Sequence, residues 1–465
     1  MREKKIQKTT DLNIDWRTFY RKVFALVIPM ALQNLINTGV TAVDVVMLGR
    51  VGEKVLSGSS LAGQVQFVMM LVFFGLTSGS TVLTAQYWGK RDTDTIEKIL
   101  GMSLTLALGV AFVFTTAAVL IPGTLMKIYT SDPEIIAEGI KYLRIVGFSY
   151  LFMAFTQVYL NIMRSIERVV VATIVYFVSL VLNIIFNGIF IFGMFGCPAM
   201  GIRGAALATL IARIAEMVIV LIYAEFGNKI VRIRLRNMIH INRLLAKDFM
   251  KYAIPVTLNE MMWGLGSSMN SVVIGHLGSA AVAANSVAQV ARQLALVVGF
   301  GVSSATAIYL GRTIGEKKIA HAKEYSKKFL MLSVIVGAIG GLMILISTPF
   351  VSSFLVLGPE AKEYMKFMFF VMSYFTLAMS INTTLIVGTL RSGGDTKVGV
   401  MIDLGTMWFF SIPFGAIAAF VLHAKVQIVY MILMCDEPLK LFFSIWRYRS
   451  FKWLNDVTRE KEELE

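Results

Sequence analysis

The chain has 465 residues, of which 56% are hydrophobic and 16% are charged, and its mean hydropathy is +0.70. Soluble domains average roughly 45–50% apolar and about 25% charged residues, so the composition excludes an ordinary soluble protein and predicts a polytopic membrane protein. The net charge of +15 comes without a base-reading or base-stacking motif, so nucleic acid is not an expected partner.

The first 22 residues are polar and basic, with Trp16, Phe19 and Tyr20 placed among Lys and Arg. This pattern predicts an interfacial anchor on the cytoplasmic face of a membrane. No short apolar region with a cleavage site precedes the first apolar segment, so we expect the first helix itself to direct insertion.

Twelve apolar segments follow, and a membrane-spanning helix needs about 20 such residues. The first six segments cover 23–48, 57–87, 99–122, 136–162, 168–195 and 203–226. The second six cover 250–276, 281–311, 327–356, 362–390, 396–422 and 426–447. The predicted fold is therefore all-α, with twelve transmembrane helices.

Basic residues alternate between the predicted loops. They cluster in the lead-in, the tail, the segment 227–249 and every second loop, including Arg164 and Arg391, whereas the other loops hold few. Cytoplasmic loops carry the excess of Lys and Arg. We therefore expect both termini to be cytoplasmic, in a cell (plasma) membrane.

The chain contains an internal repeat. Residues 251–276 echo residues 25–50, with Pro255 following Pro29 by 226 residues. At that offset Gly315 matches Gly89, and at 227 residues Leu390-Arg391-Ser392 matches Met163-Arg164-Ser165. Two halves of six spans insert with the same topology and are parallel repeats. We predict an N-terminal six-helix bundle (1–226), a basic linker (227–249) and a C-terminal six-helix bundle (250–465) around a central cleft.

A cleft between repeated bundles is typical of transporters. The sequence has no G-x-x-x-x-G-K-[ST] motif for ATP, so we expect an ion gradient to supply the energy, sensed by ionisable groups inside the membrane. The first candidate is Glu260, five residues after Pro255 and beside Asn259 and Ser267. It would hold a proton or Na⁺; the alternative is a structural pair with Arg292.

Two further carboxylates fall inside predicted spans. Asp403 lies in VGVMIDLGTMWFF, where the alternative is an interfacial acid that balances Lys397. Asp44 lies in TAVDVVMLG, where the alternative is an outer-face carboxylate partly in water. We expect Na⁺ at Glu260 and Asp403 if Na⁺ is the coupling ion. No other metal and no cofactor is predicted.

Other polar residues in the spans have two readings. Asn183 and Asn187 share a helix face, where they either join helices or line the cavity. Arg213 and Glu216 have the spacing of a structural ion pair. Asp436 and Glu437, followed by Pro438 and Lys440, are expected to be structural for the last helix. Met262 and Trp263 are typical of an adaptable surface for bulky apolar cations.

The chain resembles the multidrug and toxic-compound extrusion (MATE) family. The matching stretches are VDVVMLGRVG, GLTSGSTVLTAQYWGKRD at 75–92, GVSSATAIYLGRTIGEKK at 301–318, MGIRGAALATLIAR at 200–213, LRSGGDTK at 390–397 and KLFFSIWRYRSFKW in the tail. Their order and the two-half layout together carry the resemblance over nearly the whole chain.

The resemblance implies export of organic cations and drugs in exchange for Na⁺ or H⁺. We expect cationic or amphiphilic small molecules and membrane lipid as partners, and a monomeric state. It implies an acidic site in the C-terminal half, which Glu260 and Asp403 resemble. It also implies a site in the N-terminal half with Asp44 and an Asn-x-x-x-Asp pair. Asn183 matches that Asn, Asn187 stands where the Asp is expected, and Thr209 matches a polar residue of the same site.

Three rival functions have distinct requirements. A flippase for a lipid-linked precursor needs a strongly cationic cavity, for which Arg213 and Arg292 are candidates. A membrane-embedded enzyme needs a nucleophile or metal constellation, which the sequence does not show. A channel fits isolated buried carboxylates in parallel repeats less well than alternating access does.

Overall fold

The computed structural model describes residues 14–239, 242–354 and 358–463, which are helical throughout with short connections and contain no β-strand. The first half contributes α1 (Trp16–Gly49), α2 (Glu53–Gly89), α3 (Thr93–Leu120), α4 (Pro122–Tyr129), α5 (Pro133–Val146), α6 (Ser149–Ser165), α7 (Val169–Phe192), α8 (Ile202–Ile222) and α9 (Leu235–Ile239). The predicted all-α class is confirmed.

The second half contributes α10 (Arg243–Gly275), α11 (Ser279–Ala295), α12 (Val297–Gly315), α13 (Ile319–Phe354), α14 (Pro359–Thr383), α15 (Thr396–Thr406), α16 (Ile412–Phe420), α17 (Val426–Leu433) and α18 (Asp436–Arg449). Three π-helical segments continue or join these helices, at Tyr223–Gly227, Thr384–Leu390 and Met407–Ser411.

Nine helices in the described part of the chain are long and apolar enough to cross a membrane. The pair α5 and α6, bent by 54°, would form a tenth span. Helix α10 has 33 residues but contains five charged ones, and α11 has only 17 residues. The count of twelve spans therefore stays a prediction, because composition understates helices that face the polar interior of a bundle.

Large apolar side chains cover the outside of the molecule. On α3, Phe112 and Val113 are each 63% exposed and Leu120 is 72% exposed. Water would oppose such a surface, whereas hydrocarbon would solvate it, and helices satisfy all backbone hydrogen bonds inside lipid. These exposed stripes are the lipid-facing sides of the bundle.

The two halves meet along two equivalent helix pairs. Helix α2 packs on α10, and α12 packs on α1. The ends of α2 and α12 also cross, at the matched glycines. A Cβ at Gly89 would overlap the carbonyl oxygen of Arg312, and a Cβ at Gly315 would overlap the carbonyl oxygen of Gln86. The helices α2 and α12 cross at one end of the molecule, and we call this end the tail side.

The C-terminal tail, residues 450–463, lies across this crossing. Trp453 is fully buried and contacts the backbone of Gly393. Gln86 accepts from the Val457 N–H at 2.8 Å and donates to the Asn455 carbonyl at 3.1 Å. Because Gln86 belongs to the first half, the tail joins both halves on the tail side.

The start of α1 differs from the predicted interfacial anchor. Asp15 caps the helix by accepting the N–H groups of Arg17 and Thr18. Phe19 is 2% exposed, and it stacks on Tyr325 with ring centroids 4.8 Å apart. This aromatic side chain therefore packs between α1 and α13, while residues 1–13 of the predicted lead-in lie outside the described residues.

Candidate functional site

A cavity of about 400 Å³ lies between the two halves. Helices α1, α2, α6 and α7 form its wall on one side, and α10, α12 and the π-helical segment Thr384–Leu390 form the other. Glu260, the first predicted ion-coupling residue, lines this cavity. The remaining charged side chains of the lining are Arg164 and Arg391.

Glu260 forms an ion pair with Arg391 rather than with Arg292. Its Oε1 accepts from Arg391 Nη2 at 2.9 Å, and Arg391 Nη1 donates to Ser78 Oγ at 3.1 Å. Arg391 is only 4% exposed. The prediction that Arg391 is a loop charge is therefore wrong, because its side chain turns back into the cavity.

Asp403 lies at the centre of a second, connected group. Asn259 donates to its Oδ2 at 2.8 Å, and Lys440 Nζ lies 2.7 Å from its Oδ1. Lys440 also contacts Asp436 at 3.1 Å and Glu437 at 2.8 Å. Lys440 thus links the acidic residues of its own helix to Asp403, and it takes the place that the alternative interpretation gave to Lys397.

The two groups form one network. Glu260 and Asp403 flank Asn259 and interact electrostatically, and Asn382 Nδ2 donates to Glu437 Oε2 at 2.7 Å. Arg292 interacts electrostatically with Asp436 and Glu437. The network holds four carboxylates, Glu260, Asp403, Asp436 and Glu437, against three bases, Arg292, Arg391 and Lys440. If all are ionised, one negative charge is in excess.

A π-helical segment lies next to each of Arg391 and Asp403 in the chain. The π-helical segment Thr384–Leu390 ends immediately before Arg391. A second one, Met407–Ser411, begins four residues after Asp403. Single π-helical turns within α-helices are frequent at functional sites, since the wider turn rotates the residues that follow it. Hydrophobic periodicity alone gives no signal for either segment.

The N-terminal half gathers its own predicted residues. Asn187 Nδ2 donates to Asp44 Oδ1 at 2.6 Å and to Asn183 Oδ1 at 3.0 Å. Arg213 forms an ion pair with Glu216 at 2.7 Å and interacts electrostatically with Asp44. These residues form a second polar group, separate from the lining of the central cavity.

Thr209 is close to this group, with its hydroxyl buried and near the Tyr142 phenol. Among the other predicted lining residues, Trp263 and Ser267 face a small pocket of about 30 Å³ inside the C-terminal half. Arg292 and Glu437 line the same pocket. Met262 contributes its carbonyl oxygen, which accepts from Trp408 Nε1 at 3.2 Å.

Sequence reasoning missed Arg164, Asn34 and Lys440 as site residues. Arg164 closes α6 near a predicted span boundary, so its charge resembled that of a loop. The usable signal was the repeat itself, which aligns Arg164 with Arg391 and Asn34 with Glu260. In the described part of the chain, no group of three or more His, Cys, Asp and Glu side chains is arranged to hold a metal; His240 lies outside that part.

Comparison with known proteins agrees with this geometry. The sequence profile of the MatE family matches residues 29–189 and 255–417, and the two matches begin at Pro29 and Pro255. YoeA of Bacillus subtilis, described as a probable multidrug resistance protein, is 22% identical over 93% of this chain and 94% of its own length. NorM of Thermotoga maritima, described in the same words, is 24% identical over 95% of each chain.

Solved structures show the same fold. A MOP superfamily transporter from Pyrococcus furiosus, described as having a binding pocket of reverse polarity, superposes with a TM-score of 0.84 at 18% identity, over 93% of this chain and 96% of that one. The MATE transporter VcmN of Vibrio cholerae, in its bent form, gives 0.83 at 18% identity, over 94% and 97%. These two-lobed folds and the profile match agree, and the chain belongs to the MatE family of transporters.

Proposed function

We propose that this protein exports drug-sized amphiphilic compounds in exchange for an inward-moving monovalent cation. The observation that carries the proposal is the position of Glu260. Its carboxylate belongs both to the cavity between the halves and to the buried charge network around Asp403. Charged groups are costly inside a membrane, so such a network is expected to have a role in ion binding.

The charge balance favours one coupling cation per cycle. Four carboxylates against three bases leave one uncompensated negative charge, and an unpaired buried charge is strongly destabilising. A proton or a Na⁺ ion would neutralise it. Glu260 would then interact differently with Arg391. Cation binding would therefore shift the equilibrium between an arrangement of the halves that opens the cavity to one side of the membrane and an arrangement that opens it to the other.

Two amide oxygens favour Na⁺ over H⁺. Asn259 Oδ1 and Asn382 Oδ1 are buried, and neither accepts a hydrogen bond within the described residues. Each amide donates its N–H to a carboxylate of the network, Asp403 and Glu437 respectively. An amide oxygen does not take up a proton at neutral pH, but it is a ligand for hard cations. Each of these oxygens is therefore available as a ligand for Na⁺ beside the network.

The test is dye efflux from proteoliposomes, with a Na⁺ gradient and a pH gradient imposed separately. We expect the Na⁺ gradient to drive efflux of a drug-sized dye in the wild type and to fail with Glu260→Gln. Glu363→Gln, at a carboxylate away from the network, is the matched control. Efflux by Glu260→Gln at the wild-type rate would remove Glu260 from coupling. Efflux driven only by the pH gradient would assign H⁺ instead.

A second candidate is the flippase for a lipid-linked precursor. The two arginines on the cavity wall, Arg164 and Arg391, favour it. Arg213 and Arg292 no longer support it, since they belong to the polar groups inside the two halves. The Pyrococcus furiosus transporter with its reverse-polarity pocket shows that this fold accommodates a change of pocket charge. Gradient-independent translocation of a lipid pyrophosphate, without dye efflux, would select this candidate.

The location follows from the same proposal. A drug exporter acts in the plasma membrane, with both termini cytoplasmic as the basic loops predict, so the tail side would face the cytoplasm. We propose that a single chain suffices, because the cavity is formed by the two halves of one chain.

A further inference from the structure

The central cavity carries an unbalanced positive charge. Of its three charged side chains, Arg391 and Glu260 pair at 2.9 Å and offset each other. The third is Arg164, and no carboxylate of the described residues forms an ion pair with it. The cavity therefore holds one positive charge without a partner, although the network behind Glu260 has an excess of negative charge.

The repeat shows which residue occupies the position of the acid that would pair with Arg164. Arg164 and Arg391 are equivalent residues, 227 positions apart. The equivalent of Glu260, 226 positions earlier, is Asn34, and it too lines the cavity. The first half therefore keeps the arginine of the ion pair but has a neutral amide where the second half has a carboxylate.

The contacts of Arg164 leave hydrogen-bond donors unused. Its Nε is buried and has no acceptor within the described residues. Its Nη1 lies 3.5 Å from Gln33 Oε1, beyond the usual length of such a bond. Gln33 is held in place because it donates to the Val169 carbonyl at 3.0 Å and to Thr173 Oγ1 at 2.9 Å. A planar guanidinium with free donors matches a carboxylate, sulfonate or phosphate.

The remaining lining suits an apolar body of moderate size. Met30, Met70, Phe73 and Phe74 line the cavity, and methionine and aromatic side chains adapt to varied shapes. A volume of about 400 Å³ lies within the range of roughly 300–1,000 Å³ for small-molecule sites. It is suited to a drug-sized compound rather than to a long lipid-linked saccharide.

We propose that Arg164 is an anion-binding subsite, and that the exported compounds are amphiphiles with an oxyanion group that this guanidinium binds. This inference rests on the proposed export function and names its substrate class. It replaces the cationic cargo expected from the sequence, because the acidic residues that suggested it are paired with Arg391 and Lys440.

The test compares two xanthene dyes of similar shape and opposite charge, fluorescein (anionic) and rhodamine 123 (cationic). Binding to the purified protein in phosphatidylcholine nanodiscs is measured at equilibrium by fluorescence polarisation. We expect fluorescein to bind more tightly. Tighter binding of rhodamine 123, or no binding of fluorescein, would overturn the proposal.

Four variants assign the effect to the subsite. Arg164→Gln should weaken fluorescein binding at least tenfold without weakening rhodamine 123 binding, and Arg164→Lys should retain part of the affinity. Asn34→Glu supplies the missing acid without removing the arginine, and it should weaken fluorescein binding equally. Arg168→Gln, at an exposed arginine in the connection that follows α6, should bind as wild type does. Unchanged fluorescein affinity in both Arg164→Gln and Asn34→Glu would exclude the subsite.

Two further arms separate the possible sources of the anion and the two proposals. Binding is also measured in phosphatidylglycerol nanodiscs. If the part of the fluorescein binding that depends on Arg164 is lost there, the subsite holds a lipid headgroup, and the assignment to an exported solute is overturned. Equal binding in both lipids supports it. Efflux of rhodamine 123 alone under a gradient would uphold the proposed export and overturn the anionic substrate. Fluorescein binding without gradient-driven efflux would uphold the anion-binding subsite and overturn the proposed export.

Discussion

Gln86 and Arg312 are equivalent residues of the two halves, 226 positions apart, and each one binds the opposite half. Gln86 donates to the Ser392 carbonyl at 2.7 Å. Arg312 donates to both carboxylate oxygens of Glu167, at 2.8 and 2.7 Å. The tail side is thus held by two related contacts, one neutral and one ionic, so access to the cavity from this side requires both to break.

The crossing of α2 and α12 gives the first prediction. Gly315→Ala places a methyl group where the Gln86 carbonyl lies, so the halves must separate on the tail side. A cysteine is introduced at Ser304, which lines the cavity, both with and without Gly315→Ala. We expect it to react faster, in the Gly315→Ala protein, with a maleimide that is added on the tail side. Gly109→Ala is the control, since a Cβ there meets nothing within 4 Å. Equal labelling rates in both would show that the crossing does not limit access.

The tail gives the second prediction. Truncation after Arg449 removes the fully buried Trp453 and the ion pair of Arg459 with Asp248. Both losses weaken the closed tail side, so the same cysteine should become more reactive. Trp453→Ala should have a similar effect of smaller size, because burying an aromatic side chain contributes about 3 kcal/mol or more. A truncated protein that labels as slowly as the parent would mean that the helix crossing closes the tail side alone.

The third prediction concerns Lys440, whose ammonium group occupies the centre of the acidic network. Lys440→Gln removes one base and leaves the carboxylates with a larger excess of negative charge. Without Na⁺, the stability should fall by about 3 kcal/mol, the effect of breaking a buried ion pair. Na⁺ should then stabilise the variant at concentrations at least tenfold lower than in the wild type.

Thermal unfolding in detergent across a Na⁺ titration measures both effects of Lys440→Gln. Lys397→Gln is the control, because Lys397 is exposed and is not part of the network. Potassium at the same ionic strength controls for screening. A variant that is destabilised but gains no Na⁺ response would place the cation elsewhere.

The fourth prediction is a double-mutant cycle on Glu260 and Arg391. Each single variant, Glu260→Gln or Arg391→Gln, leaves one charge of the pair without its partner, whereas the double variant removes both. We expect the double variant to be more stable than the sum of the single effects predicts, by about 1 kcal/mol or more, as for residues in direct contact. Unfolding temperatures of the four proteins give the coupling, and strict additivity would contradict a direct pair.

The sequence predicts the fold far better than the site. Apolar runs and the repeat gave the all-α two-lobed fold, because each pattern acts along the chain. Glu260 and Asp403 were identified because a carboxylate in an apolar run is conspicuous, and Asn259 was identified because it is next to Glu260. Their partners Arg391 and Lys440 were not, since contacts across 131 and 37 residues depend on how helices pack.

Arg164 shows the limit of charge patterns. A basic residue at the end of an apolar run is usually a loop charge, and nothing local distinguishes one that turns inward. Only the structure, read together with the repeat, shows that Arg164 and Arg391 lie on the same cavity and that one of them lacks its acid.

The π-helical segment before Arg391 makes the direction of that side chain depend on residue number as well as on residue type. Each residue advances an α-helix by about 100°, so deleting Val387 from Thr384–Leu390 would restore ordinary helical register and rotate Arg391 about one quarter-turn away from Glu260. A relative with one residue fewer at this place would keep every charged residue in its sequence and yet lose the ion pair. An insertion or deletion in this segment would therefore change the site as much as a substitution of Glu260 or Arg391.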